Sequence, residues 1–224
     1  MAIRLAVFDM AGTTVMDKDF VAKAFQKALA DYGVNVSAAD INPLMGYHKP
    51  LAIQLMLEKA GVDPEASLVE DIHTEFENSM IGFYENDKAV RPMPGAEEIF
   101  LALKEKGIRV ALNTGFSKNI ADTIVNRFEW KDKGLVDDYI ASNEVELGRP
   151  YTYMMQELMK RAGISDGSEV AKIGDTTVDM EEGKNAGCKY VVAVTTGAGS
   201  REELEETQPT HIINHLSEIG TILQ

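Results

Sequence analysis

Residues Ile3–Thr14 read IRLAVFDMAGTT. The first six of these residues form a short, largely apolar run that is compatible with a β-strand, and the run stops at Asp9. Gly12 and two threonines follow, which is a composition typical of a loop. We therefore expect Ile3–Phe8 to form a buried strand that leads into a loop, with a carboxylate at the start of that loop.

Helical and strand-like patterns alternate from residue 93 to the end of the chain. The further expected strands are Ile108–Leu112, Tyr139–Ala141, Val170–Ile173, Tyr190–Val194 and His211–Ile213. The expected helices between them are Ala96–Lys106, Lys118–Phe128, Pro150–Ala162 and Val178–Asn185. This alternation predicts an α/β fold with a Rossmann-like core, in which a parallel sheet carries helices on both faces.

Residues 15–92 have a different pattern, because four helical segments follow one another with no strand between them. In one of these segments Pro50 suits a first helical position, and Gly61 suits the end of the same helix. We predict that residues 1–14 and 93–224 form the α/β core domain. Residues 15–92 are predicted to form a small α-helical domain inserted into it.

The composition limits the classes of partner. The chain has 224 residues, with 22 Lys and Arg against 36 Asp and Glu, and a formal net charge of −14. This balance argues against binding to nucleic acid or to an anionic membrane surface. Cys188 is the only cysteine, so the chain has no internal disulfide, and no apolar run approaches the roughly 18 residues of a membrane helix. The first residues lack the layout of a signal peptide, and we expect a cytoplasmic protein.

Polar residues follow three of the expected strands. Asp9 follows the first, Thr114 follows Ile108–Leu112, and Asp175 and Asp179 follow Val170–Ile173. Open α/β sheets bind ligands at the carboxyl ends of their strands, so these side chains are expected to converge. Carboxylates gathered in one place repel each other, and Mg²⁺ is the usual cation that resolves this repulsion. Each aspartate alone could be a helix cap or a solvated loop residue, but the three together favour a functional site.

Four segments, in this order, resemble the four motifs of the haloacid dehalogenase superfamily: Asp9–Thr14, Thr114, Arg149–Pro150 and Gly174–Asp179. The resemblance covers nearly the whole chain. It implies the fold of that superfamily, with residues 15–92 as its helical cap domain.

The resemblance also implies roles for individual residues. Asp9 would be the nucleophile, and Thr114 would donate a hydrogen bond to the phosphoryl group. Mg²⁺ would be held by Asp9, Asp175 and the carbonyl of Ala11, with Asp179 supporting these ligands. Further substrate contacts are expected, besides Ala11 and Thr114, from Gly12, Thr13 and Gly115.

Two positions depart from the usual pattern of the superfamily. Ala11 stands where most of its phosphatases carry an aspartate that protonates the leaving alkoxide, and alanine has no proton to donate. Arg149 replaces the usual lysine of the third motif, and we predict that it is a catalytic residue. Both departures resemble the phosphonoacetaldehyde hydrolase branch, which cleaves a C–P bond.

In that branch a cap lysine forms a Schiff base with the substrate aldehyde, so the leaving group is an enamine. Met45–Lys49 matches its motif of Met-Gly, two residues and lysine, which makes Lys49 the candidate. A helix that starts directly after Lys49 would favour its free amine and the binding of an anion. Met45, Gly46 and His48 are the other expected contacts. The branch has a histidine three residues after the lysine, where this chain has Ala52; His48 could substitute for it or be a structural residue.

The favoured function is therefore a Mg²⁺-dependent, phosphonatase-like hydrolase that acts on a small phosphonate through an aspartyl-phosphate. One alternative is a phosphatase for a small ester such as phosphoglycolate or a sugar phosphate. Another is a non-catalytic binding or regulatory domain, which is disfavoured because all of the motif residues are present. The expected partner is a small metabolite, and the resemblance suggests a homodimer formed through the cap.

Overall fold

The computed structural model describes residues 2–223. Within them, six strands form one sheet: β1 Leu5–Phe8, β2 Arg109–Thr114, β3 Asp138–Ala141, β4 Val170–Gly174, β5 Tyr190–Val194 and β6 His211–Ile213. Their order across the sheet is β3-β2-β1-β4-β5-β6, and every neighbouring pair is parallel. The predicted Rossmann-like core with a parallel sheet is confirmed.

The helices within the described residues are α1 Phe20–Ala30, α2 Ala38–Ile41, α3 Lys49–Lys59, α4 Ala66–Asn86, α5 Ala96–Glu105, α6 Lys118–Phe128, α7 Tyr153–Arg161, α8 Thr177–Asn185, α9 Arg201–Glu206 and α10 Ile219–Ile222. The first four lie between β1 and α5 with no strand among them, as predicted. None of these helices is both long enough and apolar enough to cross a membrane.

Several element boundaries differ from the prediction by one to three residues. Strand β1 starts two residues later, at Leu5. Strand β2 continues to Thr114 because its last two residues pair with β3, which the apolar pattern did not indicate. Helix α7 starts at Tyr153 rather than Pro150, because Tyr151 closes a turn with the carbonyl of Gly148 at 3.1 Å.

The position of β1 explains where a site can form. All four residues of β1 are buried, and the strand pairs with β2 on one side and β4 on the other. The chain winds outward in both directions from this point, so the loops after β1 and β4 separate and leave a crevice at the carboxyl edge. Asp9, Thr114 and Asp175 therefore lie at neighbouring strand ends.

The helical insertion packs onto the core through aromatic side chains. The rings of Phe25 in α1 and Phe76 in α4 stack with centroids 4.3 Å apart, and Phe76 lies 6.4 Å from Phe116, which follows β2. The chain enters and leaves the insertion side by side, since Val15 bridges Pro92. This pairing lies where the domain boundary was predicted; the division into domains itself stays a prediction.

Candidate active site

Three buried aspartates meet at the carboxyl edge of the sheet. Asp9 directly follows β1, Asp175 directly follows β4, and Asp179 lies in the first turn of α8. Each offers a carboxylate oxygen within 4.8 Å of the other two. The register brings them together, because Phe8 pairs with Ile173, so Asp9 leaves the sheet only one residue level before Asp175.

Asp179 is held firmly as an anion. The hydroxyl of Thr176 donates to Asp179 Oδ2 at 2.5 Å in a capping box that starts α8. Asp179 Oδ1 lies 3.0 Å from Arg149 Nη1 and 2.9 Å from Lys172 Nζ. Burial acts to raise the pKa of Asp179, but Arg149 and Lys172 hold it below its ordinary value. Its surroundings suit a group that orients others.

Asp9 has one oxygen fixed and one free of protein partners. Arg149 Nη1 lies 2.7 Å from Asp9 Oδ1, whereas Oδ2 makes no hydrogen bond or ion pair with residues 2–223. Burial raises the pKa of Asp9 to about 6, with Asp179 acting in the same direction and Arg149 against it. At neutral pH the side chain is therefore mostly a carboxylate, with an oxygen available for attack.

Asp175 lacks a positive partner. It accepts hydrogen bonds from Thr13 Oγ1 at 2.7 Å and from the backbone N–H of Ala198 at 2.8 Å, and no cationic side chain of the described residues pairs with it. Burial, followed by the charges of Asp9 and Asp179, raises the pKa of Asp175 well above its ordinary value. Gly12 leaves room for this carboxylate, since a Cβ on Gly12 would lie 2.5 Å from Asp175 Oδ2.

These observations fit a magnesium ion. The donor set is composed of oxygen atoms, as Mg²⁺ prefers, and Asp175 needs a nearby cation to ionise. The residues that would hold Mg²⁺ are Asp9, Asp175 and the carbonyl of Ala11, with Asp179 behind them. Bound Mg²⁺ would neutralise the charge of a phosphoryl group that approaches the carboxylate of Asp9.

A second, fully buried layer of charge lies behind the aspartates. Glu182 Oε2 lies 3.1 Å from Arg149 Nε and 3.2 Å from Lys172 Nζ. Asn113 accepts from Lys172 at 2.6 Å and donates to Glu182 at 2.9 Å. Removing one partner from a buried network of this kind typically costs about 3–5 kcal/mol. The network therefore fixes Arg149 and Asp179 in place.

Of the residues in this layer behind the aspartates, only Arg149 was predicted to be a site residue. Lys172 stands in the otherwise apolar segment VAKIG of β4, and every residue of this strand is buried. A lysine in a strand that is buried on both faces needs a compensating carboxylate, which was the available signal. Nothing local to Glu182 marked it, because a glutamate in a helix is ordinarily a solvated residue.

A small cavity of about 30 Å³ lies over the aspartates, between the cap and the core. The predicted site residues that line it are Asp9, Ala11, Met45, Gly46, Lys49, Thr114, Gly115 and Asp175. The residues that line it without having been predicted are Asp17, Val21, Phe116, Thr176 and Ala198. The fold thus brings together residues from opposite ends of the chain.

Lys49 is the buried cation of this cavity. It is the first residue of α3, only 3% exposed, with its Nζ 5.1 Å from the ring centroid of Phe116 and 5.6 Å from that of Phe25. Within residues 2–223 it forms no hydrogen bond or ion pair. Burial lowers the pKa of Lys49 to about 8, although Asp9 and Asp17 oppose this shift. The neutral amine is therefore accessible near neutral pH.

Besides Asp179, four predicted site residues lie outside the cavity. Thr13 lies behind Asp175 as its hydrogen-bond donor, Gly12 lies against the same carboxylate, and Arg149 lies behind Asp9. His48 lines a separate groove of about 390 Å³ instead of the cavity of Lys49. Successive residues at a helix start point in different directions, so adjacency to Lys49 does not bring His48 to the same place.

Thr114 and Gly115, at the end of β2, lie where the cap meets the core. Thr114 at the end of β2 accepts a hydrogen bond on Oγ1 from the N–H of Phe116 at 3.1 Å, so its own hydroxyl proton points elsewhere and can be donated. A Cβ on Gly115 would lie 2.5 Å from the carbonyl oxygen of Gly46 and would also collide with that of Tyr47. Glycine at position 115 thus permits direct contact between the backbones of cap and core.

The geometry agrees with a comparison against known families. A family model described as a haloacid dehalogenase-like hydrolase matches residues 3–187. The chain belongs to this hydrolase family. It is 29% identical to the phosphonoacetaldehyde hydrolase of Bacillus mycoides over 231 residues, which covers 95% of this chain and 84% of the relative. The phosphonoacetaldehyde hydrolase of Bacillus anthracis is 28% identical over 228 residues, with the same coverage.

Solved structures of the same fold include a phosphonoacetaldehyde hydrolase-like protein and a predicted phosphatase. A phosphonoacetaldehyde hydrolase-like protein from Oleispira antarctica has a TM-score of 0.87 and 20% identity, covering 100% of this chain and 92% of the other. A predicted phosphoglycolate phosphatase from Haemophilus somnus has a TM-score of 0.80 and 19% identity, covering 99% and 98%. At these identities the structural likeness establishes the fold of this hydrolase.

Removing the side chain of Asp175 should weaken the affinity for Mg²⁺ more than any conservative change to the residues behind it. We expect Asp175→Ala to raise the Mg²⁺ concentration for half-maximal activity by at least about 100-fold, since even residues that only orient ligands are worth about 10–100-fold. The measurement is activity against Mg²⁺ concentration after treatment with chelator. Asp132→Ala, at an exposed position, is the control. Full activity of the unmodified enzyme in excess chelator would reject the metal site.

Proposed function

We propose that this protein is a Mg²⁺-dependent, phosphonatase-like hydrolase that releases phosphate from a small phosphonate carrying an aldehyde, such as phosphonoacetaldehyde. The observation that carries the proposal is a buried lysine without an ion-pair partner, Lys49, in the same cavity as the carboxylate of Asp9. Hydrolysis of a phosphate ester does not require a neutral amine, whereas an aldehyde substrate forms an imine with one.

The first step is formation of an imine. The neutral amine of Lys49 adds to the carbonyl carbon of the substrate, the oxygen leaves as water, and a C=N bond remains. With a pKa of about 8, about a tenth of Lys49 is neutral at pH 7, compared with roughly one in three thousand for a lysine with the ordinary value of 10.5. Burial of Lys49 thus makes this step accessible at neutral pH.

The second step is transfer of the phosphoryl group. The free oxygen of Asp9 forms a bond to phosphorus while the P–C bond breaks, and the electron pair of that bond passes into the protonated imine to give an enamine. No alkoxide leaves, so the absence of a proton donor at Ala11 costs nothing. Thr114 is placed to donate its hydroxyl proton to a phosphoryl oxygen, and Arg149 holds the other oxygen of Asp9.

The remaining steps regenerate the enzyme. The enamine takes a proton on carbon, and water hydrolyses the resulting imine, which frees the amine of Lys49 and releases the aldehyde. A second water attacks the phosphoryl group on Asp9 and releases phosphate. Since one water left during imine formation, the sum is one phosphonate and one water giving one aldehyde and one phosphate.

The size of the cavity supports a small substrate. Its volume of about 30 Å³ is only two to three times the roughly 10–15 Å³ that a single water requires on the same measure. A phosphoryl group with a two-carbon aldehyde needs modest opening of the cap, whereas a sugar phosphate needs much more. We propose a small metabolite as the partner of the site; the homodimer and the cytoplasmic location stay predictions.

One observation favours the alternative of a small-ester phosphatase. Ala52, in place of the histidine that the phosphonatase branch carries three residues after its lysine, is fully buried and has no proton to transfer. A phosphatase would need a different source for the proton of its leaving group, because Ala11 supplies none.

A direct comparison of substrates separates the two functions. With Mg²⁺ present, we expect kcat/KM for phosphonoacetaldehyde to exceed that for phosphoglycolate or glucose 6-phosphate by at least about 100-fold, the lower range of what a missing general acid costs an ester. The measurement is phosphate release from each substrate under identical conditions. A preference for either ester would overturn the phosphonatase proposal in favour of the phosphatase.

A further inference from the structure

Asp17 stands between two cavities. It lines the catalytic cavity together with Lys49, and it also lines a second cavity of about 180 Å³ on the outer side. This outer cavity is bordered by Lys18 and Asp19, which are exposed, so it communicates with solvent. Asp17 therefore borders both the space around a buried amine and a space that water can enter.

The carboxyl of Asp17 is fixed by the backbone. The N–H of Val21, in the first turn of α1, donates to Asp17 Oδ1 at 3.0 Å. No cationic side chain of residues 2–223 forms an ion pair with it. A carboxylate that is held in position, but is not consumed by a salt bridge, remains free to accept and return a proton.

The titratable groups that face Asp17 come from both cavities and from α4, where burial and the charge of Asp17 raise the pKa of Tyr84 well above its ordinary value. Lys49, Asp9 and Asp175 line the catalytic side, and Lys18 and Asp19 line the outer side. Burial raises the pKa of Asp17 to about 6; the N–H groups of α1 and the charge of Lys49 oppose this shift, and Asp19 adds to it. Near neutral pH, Asp17 and Lys49 therefore hold one proton between them, mostly on the lysine.

Imine formation needs a group that moves protons. A proton must leave the nitrogen of Lys49, and a proton must reach the oxygen that departs as water. Asp9 is occupied with phosphorus and Asp175 with the metal in the proposed reaction. Ala11, which lines the cavity, and Ala52, which is buried in α3, have no proton to transfer. Among the residues that line the cavity, this leaves Asp17 as the carboxyl without another task.

We propose that Asp17 is the acid–base group that carries protons between Lys49 and solvent while the imine forms and hydrolyses. With Lys49 neutral and Asp17 protonated, the carboxyl gives its proton to the carbonyl oxygen as the nitrogen adds, which forms a hydroxyl. The carboxylate then takes a proton from the nitrogen and returns it to that hydroxyl. The C–O bond breaks, water leaves, and the nitrogen lone pair completes the C=N bond of a protonated imine. This inference rests on the proposed function, since it assigns a role within imine formation.

The test is the rate at which borohydride traps an adduct on Lys49 in the full-length enzyme with Mg²⁺ and phosphonoacetaldehyde, between about pH 5 and pH 9. The wild-type rate should follow a bell with limbs near the two pKa values, because the singly protonated pair is the reactive form. Asp17→Asn should slow trapping by about 10²-fold and replace the bell by a single rise that follows the neutral amine of Lys49. Asp63→Asn, at an exposed cap position, should keep the wild-type rate and profile.

The outcomes separate this inference from the proposed function. If wild-type enzyme yields no adduct at any pH, the phosphonatase proposal fails and the role of Asp17 fails with it. If wild-type enzyme yields the adduct and Asp17→Asn does so at the same rate with the same bell, only the role of Asp17 is overturned. If Asp17→Asn does not fold, Asp17→Glu replaces it. That variant must retain the bell at a reduced rate, and a single rise with pH in its place overturns the inference.

Discussion

Asp9→Asn is expected to reduce turnover of phosphonoacetaldehyde at least about a thousandfold, which corresponds to about 4 kcal/mol in the activation barrier. The amide keeps the shape of the side chain but removes the charge that attacks phosphorus. The measurement is kcat with saturating Mg²⁺, together with mass analysis of acid-quenched enzyme. Wild-type enzyme should carry a phosphoryl group on the peptide that contains Asp9, and the variant should not.

The loss should be chemical and not structural. Arg149 keeps its ion pairs with Asp179 and Glu182 when Asp9 is neutral, so no buried cation is left without a partner. Asp9→Asn should therefore unfold thermally close to wild type. It should also still form the borohydride-trapped adduct on Lys49, because the imine precedes attack on phosphorus. Asp132→Asn serves as the matched control in the core, and near-normal turnover of Asp9→Asn would refute an aspartyl-phosphate.

Much of the fold was predictable because its main features are local. The apolar run before Asp9 and the similar run before Asp175 become β1 and β4, since only a strand buried on both faces suits such runs. The missing strands in residues 15–92 predicted the helical insertion in the same way. The order of the strands was not predictable, because parallel neighbours are far apart in sequence and share no local pattern.

The convergence of the aspartates could be predicted from the fold, whereas the approach of Lys49 from the cap could not. Asp9, Thr114 and Asp175 converge because the carboxyl ends of parallel strands meet at one edge, which needs no knowledge of packing. The approach of Lys49 depends on how the cap packs through Phe25 and Phe116, which spacing does not reveal. Only resemblance to a family pointed to this lysine.

Asp17 was missed for a related reason. In the sequence it looks like an ordinary acidic residue just before a helix, and it does bond the N–H of Val21 as such a residue would. Its second property, contact with the cavity of Lys49, arises only when the insertion folds back over the core. When a residue has both a local and a distant role, the sequence pattern shows only the local one.

Lys49→Arg is expected to abolish C–P cleavage while the rest of the site remains intact. A guanidinium keeps the positive charge but cannot form an imine, so the electrons of the P–C bond have no acceptor. Because Ala11 offers no proton to a poor leaving group, no other route compensates, and kcat for phosphonoacetaldehyde should fall at least about a thousandfold. Wild-type enzyme treated with phosphonoacetaldehyde and borohydride should gain mass on the peptide containing Lys49, and the variant should not.

A substrate with a good leaving group shows whether that loss is specific. Expulsion of acetate from acetyl phosphate, which is as small as phosphonoacetaldehyde, needs neither an imine nor strong general-acid help, so this hydrolysis should depend on Asp9 and Mg²⁺ and survive Lys49→Arg within about tenfold. Lys59→Arg, at the exposed end of the same helix, controls for the exchange of lysine for arginine. If Lys49→Arg cleaves phosphonoacetaldehyde normally, the amine is not the electron acceptor. If instead only phosphate esters turn over and no adduct forms on Lys49, the carboxylate of Asp9 belongs to a phosphatase whose proton donor is not Ala11.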